Sequence, residues 1–140
     1  MSSRKLSDLH PFVQPMATEW LRECRDLNLD ILVTCTLRSN EEQERLYAQG
    51  RTTPGKIVTY ARAGESYHNY GLALDFVPLL EGKPTWGTKG RDLELWTLAG
   101  ELAEEHGFEW AGRWTRFREY PHIQATFGLS ISDLKNGVRP

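Results

Sequence analysis

Phe12, Met16, Trp20 and Leu21 recur at spacings near one helical turn behind Ser7 and Asp8, a pair suited to capping, and predict a helix running to about Leu27. Its apolar face is expected to pack on a sheet. The β-branched run at 29–36, after the turn-like Asn28, predicts a strand with Arg38 just beyond its end. Ser39 then precedes Glu41, Glu42 and Gln43, an N-cap leading an acidic first turn, and Leu46 and Tyr47 continue a helix that stops at Gly50. Residues 51–67, rich in Thr, Gly, Pro and Arg, have no hydrophobic period and predict a long loop of the kind that serves a function.

Leu72, Leu74 and Phe76 alternate, which predicts a strand from Tyr70 to Val77 bounded by Gly71 and Pro78, with Asp75 inside it. After a turn-rich stretch at 82–90, Leu93, Leu95, Trp96, Leu98, Ala99, Leu102 and Ala103 predict a helix ending near His106 and Gly107. Residues 108–110 and 121–124 are the remaining strand candidates, and Ser130 with Asp133 suits the start of a last short helix. Helices and strands mix without βαβ regularity, so the expected fold is α+β: a single small domain with a central antiparallel sheet flanked by helices.

Composition narrows the class. A chain of 140 residues is expected to form one domain, and 39% hydrophobic with 26% charged residues is ordinary for a globular protein. No apolar run is long enough to span a bilayer, which argues against membrane insertion. The first residues lack the continuous apolar region of a signal peptide, so synthesis in the cytoplasm without self-export is expected. A net charge of −2 gives no basic field for nucleic acid. Cys24 and Cys35 lack paired spacing and read as small buried hydrophobes kept reduced.

The chemistry concentrates in two segments. His68 stands seven residues ahead of Asp75, a carboxylate in an otherwise apolar strand, where an ionised group needs a cation or several donors. A metal held jointly with His68 meets that need; a hydrogen-bonded core Asp beside a surface His is the plainer alternative. Downstream, Glu119 and His122 flank Pro121 and supply a second imidazole with a carboxylate three residues before it. His68, Asp75 and His122 then match the usual three protein ligands of a catalytic zinc, which leaves a position for water. Glu119 suits the general base, or else is a solvated charge among Arg116 and Arg118.

Ser66, His68, Gly71, Ala73 and Asp75, followed by Glu119 and His122, resemble the core pattern of the zinc D,D-peptidases (VanY-like) and L-alanyl-D-glutamate peptidases of bacteria and phages. Arg38 and Ser39, Glu41, Glu42, Gln43, Leu46 and Tyr47, Gly50 and Arg51, and the loop 54–59 extend the resemblance toward the L-alanyl-D-glutamate branch, including small phage endolysins. The resemblance implies one Zn2+ held by His68, Asp75 and His122, with Glu119 as catalytic base and Arg38 holding the scissile carbonyl oxygen as it gains charge. Ser66, Gln43 and Trp114 are expected to contact substrate. The chain departs from the branch at Glu119, where Asp is frequent, and at residues 111–114, where Gly-Gly-Asp-Trp is frequent and Arg113 reverses a charge.

The implied substrate is a peptidoglycan stem peptide cut at its L-alanyl-D-glutamate amide. A D-Ala-D-Ala carboxypeptidase shares the catalytic parts, because both substrates carry a free carboxylate beside the amide that is cut. A non-catalytic wall-binding domain that keeps zinc for its fold is the reading from another class. With an endolysin come further expectations: release through a holin's pore, a monomer, and no separate wall-binding module. Trp110 and Trp114 read equally as cleft wall or core, and His10 and His106 as helix-end residues.

Overall fold

The computed structural model describes residues 2–140. Its core is a sheet of antiparallel strands formed by β1 (Asp30–Cys35), β2 (Ala73–Leu80), β4 (Glu109–Trp110) and β5 (His122–Gln124), in the order β1-β2-β5-β4. A short β3 (Lys83–Pro84) pairs with the far end of β2, inside the stretch that the sequence marks only as turns. Helices α1 (Val13–Asp26) and α3 (Gly90–Glu105) pack against each other and the sheet, while α2 (Asn40–Ala48) and α4 (Ile131–Lys135) flank the site. The expected α+β domain with a central antiparallel sheet is what the chain forms.

Local signals set most of these elements. Ser39 caps α2 by accepting from Glu42 N, and Ser130 with Asp133 forms a reciprocal capping box on α4. Two elements, α1 and β2, have boundaries that differ from the sequence reading. Ser7 and Asp8 lie in a separate 3-10 turn, Leu6–Asp8, and α1 starts only at Val13, where His10 Nδ1 accepts from Phe12 N at 3.1 Å. The buried face of α1 is therefore Val13, Ala17, Trp20 and Cys24, and Phe12 is 56% exposed. Strand β2 also begins at Ala73, since Tyr70 belongs to a 3-10 turn, and runs through Pro78 instead of ending before it. Within a strand, N and carbonyl O of one residue point to the same side; Pro78 O accepts from Thr85 N on the side where β5 has already ended, so no ladder bond is lost.

The sheet has two chemically distinct faces. Leu74 pairs with Ile123 and Ile123 with Trp110, and Phe76 lies against Trp20 and Trp96 of the two large helices. These side chains are buried, each contributing about 1.5–3 kcal/mol. One residue out of phase, Asp75 pairs with both Cys35 and His122, Ala73 with Gln124, and Gln124 with Glu109. Partners across a ladder share a face, so the polar residues line the side opposite the helices.

Candidate active site

That polar face forms the floor of a cleft of about 830 Å³, lined among others by Arg38, Ser66, His68, Asp75, Glu119 and His122. His68 arrives from a 3-10 turn, Tyr67–Tyr70, whose N-cap Ser66 accepts from His68 N and whose Asn69 side chain accepts from Ser66 N. Gly71 ends the turn at φ +71, and a Cβ there would lie 2.7 Å from His10 N, so the tight entry into β2 requires glycine. His122 sits on β5 directly across from Asp75.

The inner nitrogens of both imidazoles meet one carboxylate oxygen: His68 Nε2 and His122 Nδ1 each lie 3.1 Å from Asp75 Oδ1. The outer nitrogens face acceptors, Thr36 O at 2.9 Å from His68 Nδ1 and Gln124 Oε1 at 2.8 Å from His122 Nε2. An outer nitrogen that donates to an oxygen leaves the inner one with a lone pair, the arrangement that metal-ligating histidines adopt. The two buried imidazoles and the carboxylate thus fit a divalent cation.

Electrostatics agree with the geometry. Burial disfavours a charged His68, yet Asp75, with Cys35 assisting, outweighs it and lifts the imidazole to about 10. Burial likewise pushes Asp75 up, but His68 and His122 hold it well below the usual carboxylate range. Cation and carboxylate stabilise each other here, and a metal ion would take the place of protons.

Arg38 extends over the same carboxylate, its Nη2 3.8 Å from Asp75 Oδ2, and does not pair with Glu41 or Glu42. Its Nη1 donates to Gln43 Oε1 at 3.2 Å, and its buried Nε has no partner among the described residues. Glu119 is exposed at the cleft, and its side chain has no hydrogen-bond or ion-pair partner among the described residues.

Gln43 is placed differently from the sequence expectation of a substrate contact. It is fully buried and lies behind Arg38, where Nε2 donates to Ala61 O at 2.8 Å while Oε1 accepts from the guanidinium. It braces Arg38 against the 51–67 loop. Trp114 lines the cleft with its ring 5.9 Å from His122, whereas Trp110 is core. Arg113 turns away from the cleft to Glu104 Oε2 at 2.6 Å and Glu101 Oε2 at 3.8 Å. His106 ends α3 and pairs with Glu23 at 2.6 Å.

Sequence reading missed two neighbours of the histidines. Cys35, a free buried thiol, lies 3.7 Å from His68 Nδ1, and Cys35, His68 and Asp75 each offer a ligand atom within 4.8 Å of one another. The thiol also accepts from Arg38 Nη2 at 3.6 Å, so Cys35 stands beside the same carboxylate as the two histidines. Gln124 is the other, and its place two residues after His122 on a strand was the available signal. Cys24 is remote, and burial pushes its thiol up to about 12.

Two imidazoles and a carboxylate converging at the floor of an open cleft, with a free carboxylate and a guanidinium alongside, define a metal-dependent hydrolase of the peptidase type. The family model described as D-alanyl-D-alanine carboxypeptidase matches residues 59–125. The chain is 44% identical over 128 residues to the peptidoglycan L-alanyl-D-glutamate endopeptidase CwlK of Bacillus subtilis (strain 168), covering 84% of this chain and 74% of that protein. It is 32% identical over 100 residues to the L-alanyl-D-glutamate peptidase of Listeria phage A118, covering 71% of this chain but 31% of the phage protein. Among solved structures, the L-Ala D-Glu endopeptidase ChiX of Serratia marcescens aligns over 91% of this chain and 90% of its own, with TM-score 0.66 and 21% identity. The vancomycin-resistance D,D-pentapeptidase VanY in complex with Zn(II) aligns over 91% and 76%, with TM-score 0.59 and 16% identity. The chain belongs to this family of metallopeptidases, within the group of L-alanyl-D-glutamate endopeptidases and D-alanyl-D-alanine carboxypeptidases.

Proposed function

We propose that the chain hydrolyses the L-alanyl-D-glutamate amide of peptidoglycan stem peptides, using one zinc ion held by His68, Asp75 and His122. The observation that carries the metal site is the convergence of His68 Nε2 and His122 Nδ1 on Asp75 Oδ1. The choice of bond rests on the 44% identity to CwlK over most of both chains.

When bound, zinc lowers the pKa of a water and polarises a carbonyl. The protein's own groups then do the rest. Glu119, at the cleft wall with an uncommitted carboxylate, takes a proton from the attacking water and passes it to the leaving amine of D-Glu. Arg38, whose guanidinium lines the cleft beside Asp75, holds the carbonyl oxygen as negative charge develops. Ser66 fixes the turn that presents His68, and Trp114 forms an apolar wall beside His122.

Digestion of purified peptidoglycan, with peptide ends identified by mass spectrometry, tests the assignment. New L-Ala carboxyl and D-Glu amino ends, lost with chelator and in Glu119→Ala, are expected. Release of D-Ala would move the chain to the D,D-carboxypeptidase reading that the family model's description favours. Absence of any cleavage would favour a wall-binding domain that uses zinc structurally.

We further propose an endolysin role, in which a monomeric enzyme is released to the wall through a holin's pore to lyse the host; the similarity to a phage L-alanyl-D-glutamate peptidase, of which the chain spans 31%, is what favours it. Among the described residues no helix is long and apolar enough to cross a membrane. Expression inside cells with and without a co-expressed pore protein tests the role, since lysis without the pore would refute dependence on one.

A further inference from the structure

The outer nitrogens of the two histidines are held by unlike partners. His68 Nδ1 faces a backbone carbonyl, Thr36 O, which is an acceptor whatever side chains surround it. His122 Nε2 faces the carboxamide of Gln124, which presents either an acceptor or a donor depending on how it is turned. Something must decide that orientation, because a carboxamide turned the other way would donate to Nε2 and pull the ring proton to Nδ1, the nitrogen aimed at Asp75.

Glu109 supplies the decision. It stands across from Gln124 on the β4–β5 ladder and on the same face of the sheet. Its Oε2 accepts from Gln124 Nε2 at 3.4 Å and its Oε1 accepts from Trp114 Nε1 at 2.9 Å. An ionised carboxylate has no proton to give, so only the NH2 end of Gln124 satisfies it, and the carboxamide oxygen is left for His122. The indole N–H is likewise donor only. The polarity therefore runs one way, from both ends toward fixed acceptors: Trp114 N–H to Glu109, Gln124 N–H to Glu109, His122 N–H to Gln124. Gln124 is 7% exposed and His122 8%, so their contact is shielded from water, while Glu109 closes the chain from the exposed edge of the sheet.

We propose that Glu109 is a positioning residue for the metal centre: through Gln124 it fixes His122 in the tautomer that offers Nδ1 to the ion, and through Trp114 it holds the cleft wall against the same ring. The inference rests on the zinc reading above and extends it to residues beyond the ligand set. Partners of this kind change metal affinity by about 10- to 100-fold when removed.

A charge swap separates this role from mere packing. In Glu109→Gln one acceptor oxygen faces two donors, Trp114 Nε1–H and the Gln124 NH2, so the chain breaks. In the double variant Glu109→Gln with Gln124→Glu, Glu at 124 accepts from both His122 and the new amide at 109, and that amide's oxygen accepts from Trp114, so every donor again has an acceptor. Zinc affinity is read by competition with a chromophoric chelator, and the ligand field by the visible spectrum of the cobalt-substituted protein; neither requires turnover. The expected result is a 10- to 100-fold weaker affinity with an altered cobalt spectrum in Glu109→Gln, and recovery of both in the double variant. Parent-like affinity in Glu109→Gln overturns the inference, as does a double variant that stays as weak as the single one. A parent protein that binds no zinc overturns the metal reading itself and this inference with it.

Discussion

Replacing Gln43 with methionine distinguishes a residue that touches substrate from one that positions Arg38. The two side chains have similar volume, so the cavity contribution to stability is small. What is lost is specific: Gln43 is fully buried, and Arg38 Nη1 loses its acceptor at 3.2 Å and Ala61 O its donor at 2.8 Å, both partners being half-buried. A buried polar group left unpaired costs about 1–3 kcal/mol, and because water reaches these half-buried partners the two together are expected to cost about that much. That is a large share of the roughly 5–15 kcal/mol that stabilises a domain. Arg38 is the more sensitive end, because its Nε already lacks a partner, and a second unmatched edge frees the guanidinium to move away from Asp75.

Urea denaturation and steady-state kinetics on a stem peptide report the two consequences separately. The expected outcome for Gln43→Met is a lower urea midpoint and a fall in kcat with little change in KM. Gln43→Glu keeps the acceptor for Arg38 but cannot donate to Ala61 O, and is expected to recover kcat more than stability. A Gln43→Met protein of unchanged stability whose KM alone rises would refute the bracing role and restore the substrate contact expected from the sequence.

Other perturbations probe the rest of the site. Glu119→Gln is expected to lower kcat by about 10²- to 10⁴-fold without moving the melting temperature, since the side chain is exposed; a shifted melting temperature would contradict this. Gly71→Ala, strained at φ +71 with its Cβ 2.7 Å from His10 N, is expected to destabilise by about 1–3 kcal/mol and to weaken zinc binding through His68, measured by denaturation and chelator competition. For the chelated protein, His68 has a folded pKa of about 10 against an ordinary 6.5, so its contribution is complete below about 6.5 and is lost as pH rises toward 10. Asp75, held low, contributes above its ordinary range near 3.8 and loses that contribution in acid. Thermal melts of chelated protein should therefore decline from pH 6.5 upward while zinc adds increasing stability over the same range; a chelated protein that gains stability there would refute the pairing.

What could be read from the chain was local. The Ser39 cap, the alternation of Leu72, Leu74 and Phe76, and the apolar face of α3 are each set within a few residues, and α2 and α3 form where the pattern places them while β2 is shifted to Ala73–Leu80. His68, Asp75 and His122 stood out because a buried carboxylate demands a partner. The start of α1 was not legible, since His10 rather than Ser7 supplies the acceptor at its first turn. Nor were the contact of Cys35 with His68, which the Tyr67–Tyr70 turn brings to the end of β1, and the facing of Glu109 onto Gln124, which depends on the β4–β5 register.

The stretch 110–114 shows how packing decides what sequence leaves open. A Cβ on Gly100 or Gly112 would fall 2.1 or 2.2 Å from the Trp110 ring, so these glycines make the slot that the indole fills between α3 and the following turn. With Trp110 wedged there and its Nε1 donating to Tyr120 O, the 3-10 turn Ala111–Arg113 starts from a fixed orientation. It delivers Arg113 to Glu104 and Glu101 on α3, and Trp114 to the cleft beside His122. The reversed charge at 113 is thus neutralised by Glu104 and Glu101 on α3. On the proposed reading, substrate selectivity is expected from the groups that line the cleft, Trp114 and the 51–67 loop among them.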